Sequence, residues 1–97
     1  KRIIEFGNIK IDLNKSLILQ NKKEYKINNT EKIILEKMIN DPGQTFSRES
    51  IGKLINIDKE RSIDVIITRL RKKIEVDPKN PKFLQTIRGA GYVLWIE

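Results

Sequence analysis

Apolar and polar residues alternate with a period near two at the start of the chain and with a longer period from Asn28 onward. The segments "RIIEF", "NIKIDL" and "SLILQ" predict three short strands separated by the turn signals "GN" and "NK". "YKI", following "NKKE", predicts a fourth. In an antiparallel meander of these strands, side-chain alternation sets Ile9, Ile11 and Leu13 on one face and leaves the other face wetter.

At Asn28 the pattern becomes helical. Asn28 suits an N-cap, with Glu31 as its reciprocal partner in a capping box ahead of an apolar stripe of Ile34, Leu35 and Met38. "DPG", Asp41 to Gly43, ends this helix, and Ser47 caps a shorter one that runs to about Ile55 and is expected to bury Ile51, Leu54 and Ile55. A third helix is expected over roughly Lys59 to Val76. Its residues Ile63, Ile67, Leu70 and Ile74 fall within about 60° of one another on a helical wheel and form the buried stripe. Arg61, Val65, Thr68, Arg69 and Lys72 lie opposite, with Ser62, Asp64, Ile66, Arg71 and Lys73 on the flanks. The prolines of "DPKNP" stop the helix, and "KFLQTI" and "YVLWIE" read as strands joined by "RGAG", where Gly89 and Gly91 supply the positive φ of a tight hairpin. The last strand is apolar on both faces, so Trp95 is expected in the core or against the sheet.

A chain of 97 residues is one small domain, taken as 1–97. It opens on Lys1 rather than Met and carries no signal peptide or apolar run long enough to span a membrane, which suggests a fragment of a longer, cytoplasmic protein. Without Cys or His it lacks thiolate chemistry, the commonest metal ligand and the commonest general base. Ser47, Ser50 and Ser62 have no activating base, and the basic neighbours of Asp58, Glu60 and Asp64 favour ion pairing over metal ligation. No catalytic residue, metal or cofactor is therefore expected. The net charge of +7 favours an anionic partner, nucleic acid first.

The exposed face of the third helix fits that partner. Arg can bond guanine O6 and N7 together, while Val and Thr methyls suit the thymine methyl, the chemistry of major-groove reading. Ser47 and Arg48 at the start of the second helix can meet a phosphate, and the two helices have the layout of a helix-turn-helix. Arg88 opens the hairpin turn, where a guanidinium can enter a minor groove. Against this stand a merely solvated basic face, a nonspecific nucleic-acid binder and a protein-interaction module. The nonspecific or RNA reading lacks an evident pair of stacking aromatics.

In order, "SRESI", "RSIDVIITRLRKKIE" and "LQTIRGAGYVLW" resemble the signature segments of the winged-helix effector domain of OmpR/PhoB-type response regulators, and the resemblance covers essentially the whole chain. It implies an α+β winged helix-turn-helix: an N-terminal four-stranded antiparallel sheet, three helices and a C-terminal β-hairpin wing. It also implies that Arg69 contacts a base, that Arg61, Ser62, Thr68 and Arg71 lie near base edges or backbone, and that Thr86, Arg88 and Tyr92 are wing contacts. Val65 and Lys72 complete the expected recognition face, and Ser47, Arg48 and Lys73 the expected backbone contacts. The implied partners are double-stranded DNA with direct-repeat half-sites, RNA polymerase, and a sensor kinase acting through a receiver domain outside this chain. The domain is expected to be a monomer alone and a tandem dimer on DNA. The same effector domain also occurs in membrane-anchored regulators without a receiver. Lys32 stands where the family usually has an aromatic residue, and "NIDKE" is shorter than the family's usual loop before the third helix, a loop that often meets RNA polymerase.

Overall fold

A computed structural model describes residues 2–96. Strands β1 (Ile3–Phe6), β2 (Ile9–Asp12), β3 (Leu17–Gln20) and β4 (Lys23–Lys26) form an antiparallel meander in the order β1-β2-β3-β4. Helices α1 (Asn29–Asn40), α2 (Arg48–Ile55) and α3 (Glu60–Ile74) follow, then a hairpin of β6 (Leu84–Ile87) and β7 (Gly91–Leu94). A two-residue strand, β5 (Thr45–Phe46), precedes α2 and pairs with β7, so the hairpin is part of a three-stranded sheet ordered β5-β7-β6. This is the winged helix-turn-helix architecture expected, with one unforeseen strand. The expected end of the last strand at Glu97 lies outside the described residues.

Alternation in β2 places Ile9 and Ile11 in the core, and Leu13 follows on the same side, all at most 3% exposed. Helix α1 carries the capping box in full: the Glu31 N–H donates to Asn28 Oδ1 at 2.8 Å, and the Asn28 N–H donates to Glu31 Oε1 at 3.0 Å. Ile63, Ile67, Leu70 and Ile74 of α3 are at most 1% exposed, and each such burial stabilises the fold by about 1.5–3 kcal/mol. They pack into the same core as Ile34, Leu35 and Met38 of α1 and Ile18 of β3.

Two glycines set the approach of the elements around α3. A Cβ on Gly52 would lie 2.4 Å from the Ile57 carbonyl oxygen, so only glycine lets the chain leaving α2 fold back onto that helix. At Gly91 φ is +142°, and a Cβ there would meet the Phe46 carbonyl oxygen at 2.0 Å. Gly91 thus allows the hairpin to lie directly against β5.

One expectation about the core is corrected. Leu54 is 39% exposed: it lies on the rim of a groove of about 210 Å³ between α1 and α2, while its neighbour Ile55 turns towards the core. Of the two places expected for Trp95, core or sheet, the structure gives the second: it is 43% exposed at the sheet edge, with its indole N–H donating to Gln85 Oε1 at 3.1 Å and its ring against Gly43. Helix α3 ends at Ile74, and Val76, expected at its last turn, is exposed.

Candidate nucleic-acid interface

Helix α3 exposes Arg61, Val65, Thr68, Arg69 and Lys72 along the side opposite its buried stripe. Positions separated by three, four and seven residues stack on one helical face, so these five form a continuous strip. Val65 is 44% exposed between Arg61 and Arg69, an apolar residue left in solvent by the same geometry. The Thr68 hydroxyl donates to the Asp64 carbonyl at 2.8 Å, one turn back, so its methyl and its oxygen lone pairs are what it offers outward. Ser62 is half-buried in the first turn.

The cations of this region fall into two sets. Among the described residues, Arg61, Arg69, Lys72 and Arg88 are exposed and make no salt bridge. Arg48, Arg71 and Lys73 are engaged within the domain. Arg71 fastens the hairpin to α3: its Nε donates to the Leu84 carbonyl at 2.8 Å, an Nη donates to Thr86 Oγ1 at 2.6 Å, and its guanidinium stacks over the Tyr92 ring 5.6 Å from the centroid. Thr86 is exposed in the wing with its hydroxyl already accepting this bond.

Arg48 reaches across from α2. Its Nε donates to Asp64 Oδ1 at 2.9 Å and one Nη lies 3.6 Å from Glu60 Oε1. The bond to Asp64 raises the Arg48 pKa further above its ordinary value. The Tyr92 hydroxyl donates to the same Asp64 oxygen from the hairpin. Burial first, and the Asp64 carboxylate second, push the Tyr92 phenol above its usual range. Ser47 caps α2 by accepting the Ser50 N–H at 3.0 Å, which leaves the other first-turn amides as candidate anion donors. A cleft of about 340 Å³ lined by Ser47, Arg48, Thr86, Gly89 and Tyr92 separates the start of α2 from the hairpin turn.

Besides Arg71, two further expected contacts are placed differently. Lys73 is held inward: its Nζ donates to the Lys26 carbonyl and to Glu31 Oε1, both at 2.8 Å, and the Glu31 side chain is 3% exposed. A buried carboxylate needs that ammonium more than a surface does, so Lys73 ties α3 to α1 and β4. Tyr92 is 5% exposed with its hydroxyl taken by Asp64, which makes it a support beneath the wing rather than part of its surface.

Asp64, expected from its basic neighbours to form ion pairs, pairs with Arg48, whereas Gln20 and Glu75, which also organise the site, were not singled out from the sequence. Asp64 joins α2, α3 and the hairpin. Gln20 donates from β3 to the Lys73 and Glu75 carbonyls, each at 3.1 Å, at the C-terminal end of α3. Glu75, 3% exposed, accepts the N–H groups of Lys82, Phe83 and Leu84. The only sequence signal for them is a polar residue on or beside an apolar stripe.

Residues 22–94 match the family model described as "Transcriptional regulatory protein, C terminal". The probable transcriptional regulator ycf27 of Porphyridium aerugineum is 39% identical over 98 residues, covering 94% of this chain and 40% of that protein. Among solved structures, the response regulator DrrB of Thermotoga maritima, an OmpR/PhoB homolog, superposes with a TM-score of 0.86 at 30% identity, over 98% of this chain and 45% of its own. The RstA DNA-binding domain of Klebsiella pneumoniae, solved in complex with the RstA box, gives a TM-score of 0.79 at 25% identity and covers 98% of both chains. This chain therefore spans less than half of ycf27 and of DrrB and nearly all of the isolated RstA domain. With the family model matched from β4 to the last hairpin strand, the chain belongs to the C-terminal domains of transcriptional regulatory proteins, of the OmpR/PhoB type.

Proposed function

We propose that this domain binds double-stranded DNA sequence-specifically and regulates transcription as the output domain of a two-component response regulator. The observation that carries the reading is the strip of Arg61, Arg69 and Lys72, unpaired among the described residues, around exposed Val65 on α3, beside a hairpin that Arg71 and Asp64 hold to the same helix. Helix α3 enters the major groove, where Arg69 takes a base edge and Val65 and Thr68 offer methyl contacts. Arg61, Ser62, Lys72, and Ser47 at the head of α2 meet phosphates, while Arg88 on the wing enters the adjacent minor groove and Thr86 approaches the backbone. Arg71 and Tyr92 hold the wing at the angle this requires.

One such module reads only a few base pairs, so useful specificity calls for two. Half-sites one helical turn apart, about 34–36 Å, keep both recognition helices on one face of the duplex. The longest extent of the domain is 34 Å, so two copies in the same orientation fit at that spacing as a tandem pair on a direct repeat. In this reading the domain is monomeric off DNA. A receiver domain outside this chain takes the signal from a sensor kinase and supplies dimerisation, RNA polymerase is the downstream contact, the protein is cytoplasmic and it performs no catalysis. The domain boundary, 1–97, is part of the same proposal.

Selection from a random duplex library tests it. One recurring motif in direct-repeat pairs at about one-turn spacing is the expected result. Recovery of unrelated sequences with equal affinity would overturn specific binding, and inverted pairs or a stable dimer without DNA would overturn the tandem arrangement.

A further inference from the structure

The geometry points to Asp64 as a specificity-determining positioning residue: one carboxylate on the recognition helix both sets the wing and withholds Arg48 from phosphate. The inference rests on the DNA-binding reading above.

Asp64 Oδ1 accepts from Arg48 of α2 and from the Tyr92 hydroxyl of β7, so three elements meet at one oxygen. Its side chain is 38% exposed, and it sits on the flank of the strip formed by Arg61, Val65, Thr68, Arg69 and Lys72. A carboxylate beside a surface built for polyanions opposes phosphate by charge, whatever the base sequence. It also engages Arg48, the exposed cation at the head of α2 and a lining residue of the cleft between α2 and the hairpin turn. Random duplex needs only cations and benefits from a free Arg48. Selected duplex needs α3 and the wing in their grooves together, at an angle fixed in part by the Tyr92 bond. Asp64 thus lowers affinity for random sequence and raises it for the selected one, which is what discrimination requires.

The two effects separate by substitution. Asp64→Ala removes both charge and acceptor. Asp64→Asn removes the charge and keeps an oxygen for Tyr92. The probes are a duplex recovered from the random library and a shuffled duplex of the same length and composition, titrated by fluorescence anisotropy over a range of salt, with circular dichroism confirming that each variant is folded. For Asp64→Ala, affinity for the shuffled duplex is expected to rise about threefold while affinity for the selected duplex falls about tenfold. The salt slope on shuffled DNA should steepen by about 0.9, one added phosphate contact. Asp64→Asn should reproduce the gain on shuffled DNA and hold affinity for the selected duplex within about threefold of the parent. Parallel loss on both duplexes in Asp64→Ala, or an unchanged ratio in both variants, overturns the inference. A parent domain that does not prefer the selected duplex overturns the DNA-reading proposal instead, and shows itself before any variant is compared.

Discussion

Glu75 Oε2 accepts the backbone N–H of Leu84 at 2.8 Å inside the domain, joining the C-cap residue of α3 to the first residue of the hairpin. The same carboxylate takes the N–H groups of Phe83 at 3.0 Å and Lys82 at 2.8 Å. Three consecutive amides at the root of the wing thus depend on one side chain that is 3% exposed. Glu75→Ala is expected to destabilise the domain by about 2–4 kcal/mol, since buried donors left without an acceptor bear their desolvation cost uncompensated. Glu75→Gln should cost less, because its amide keeps one acceptor. Urea unfolding measures both, and equal midpoints for parent and Glu75→Ala would mean that water replaces the carboxylate.

Arg69 and Arg88 should fail in different ways when truncated. Arg69→Ala is expected to weaken binding to the selected duplex by about 1–3 kcal/mol and to relax one base position, with stability unchanged because Arg69 is exposed and makes no salt bridge among the described residues. Arg88→Ala should weaken binding most where the flanking step is A·T-rich, because a narrow minor groove concentrates negative potential. Affinities on a panel of point-mutated and flank-swapped duplexes decide both. Equal losses of Arg69→Ala on selected and random DNA would make it a phosphate contact.

How much of this was readable beforehand depended on whether a feature is periodic. The stripe Ile63, Ile67, Leu70 and Ile74 repeats at helical spacing, and the Asn28–Glu31 capping box is local, so both were legible and both are present. Strand β5, two residues long, is too short to show any period, and only Phe46 between "DPGQT" and "SRES" hints at a buried point there. Leu54 fits the apolar pattern of α2, but no element covers it, and coverage is a property of the assembled fold. The sorting of cations was equally hidden. Lys72 and Lys73 are neighbours of the same type, yet a rotation of about 100° leaves one in solvent and brings the other to the buried Glu31 carboxylate.

That pair supplies a prediction of its own. Lys72→Ala is expected to leave stability within about 0.5 kcal/mol of the parent. It should also lower the magnitude of the salt slope for DNA binding by about 0.9, the loss of one phosphate contact. Lys73→Ala should do the reverse. Stranding Glu31 costs about 2–4 kcal/mol, less than for a wholly buried pair because the ammonium is partly exposed, while the salt slope stays as it was. Thermal unfolding and salt-dependent titration of both variants provide the four values. A reduced slope in folded Lys73→Ala would return Lys73 to the DNA-contacting set.

Tyr92 should make the domain sensitive to alkali. Its phenol is held above the ordinary value of 10.0 by burial and by the Asp64 carboxylate that its hydroxyl faces, with Arg48 opposing the shift. In the unfolded chain the phenol ionises near 10.0, so above that pH the unfolded state binds fewer protons than the native one and unfolding becomes more favourable as pH rises. The stabilisation from the neutral phenol is therefore complete below that value and is lost as pH climbs through the raised native one. Tyr92→Phe removes this linkage together with the bond to Asp64. The variant is expected to be less stable at neutral pH by about 1 kcal/mol and to lose stability less steeply in alkali, so that the two stability curves converge. Other groups that titrate in alkali are common to both proteins and cancel in the comparison. Urea unfolding at a series of pH values, with tyrosinate absorbance followed in parallel, measures the convergence. Curves that stay parallel through the alkaline range would show that Tyr92 keeps the same proton affinity in the folded and unfolded chain, against the burial and the carboxylate contact that the fold gives it.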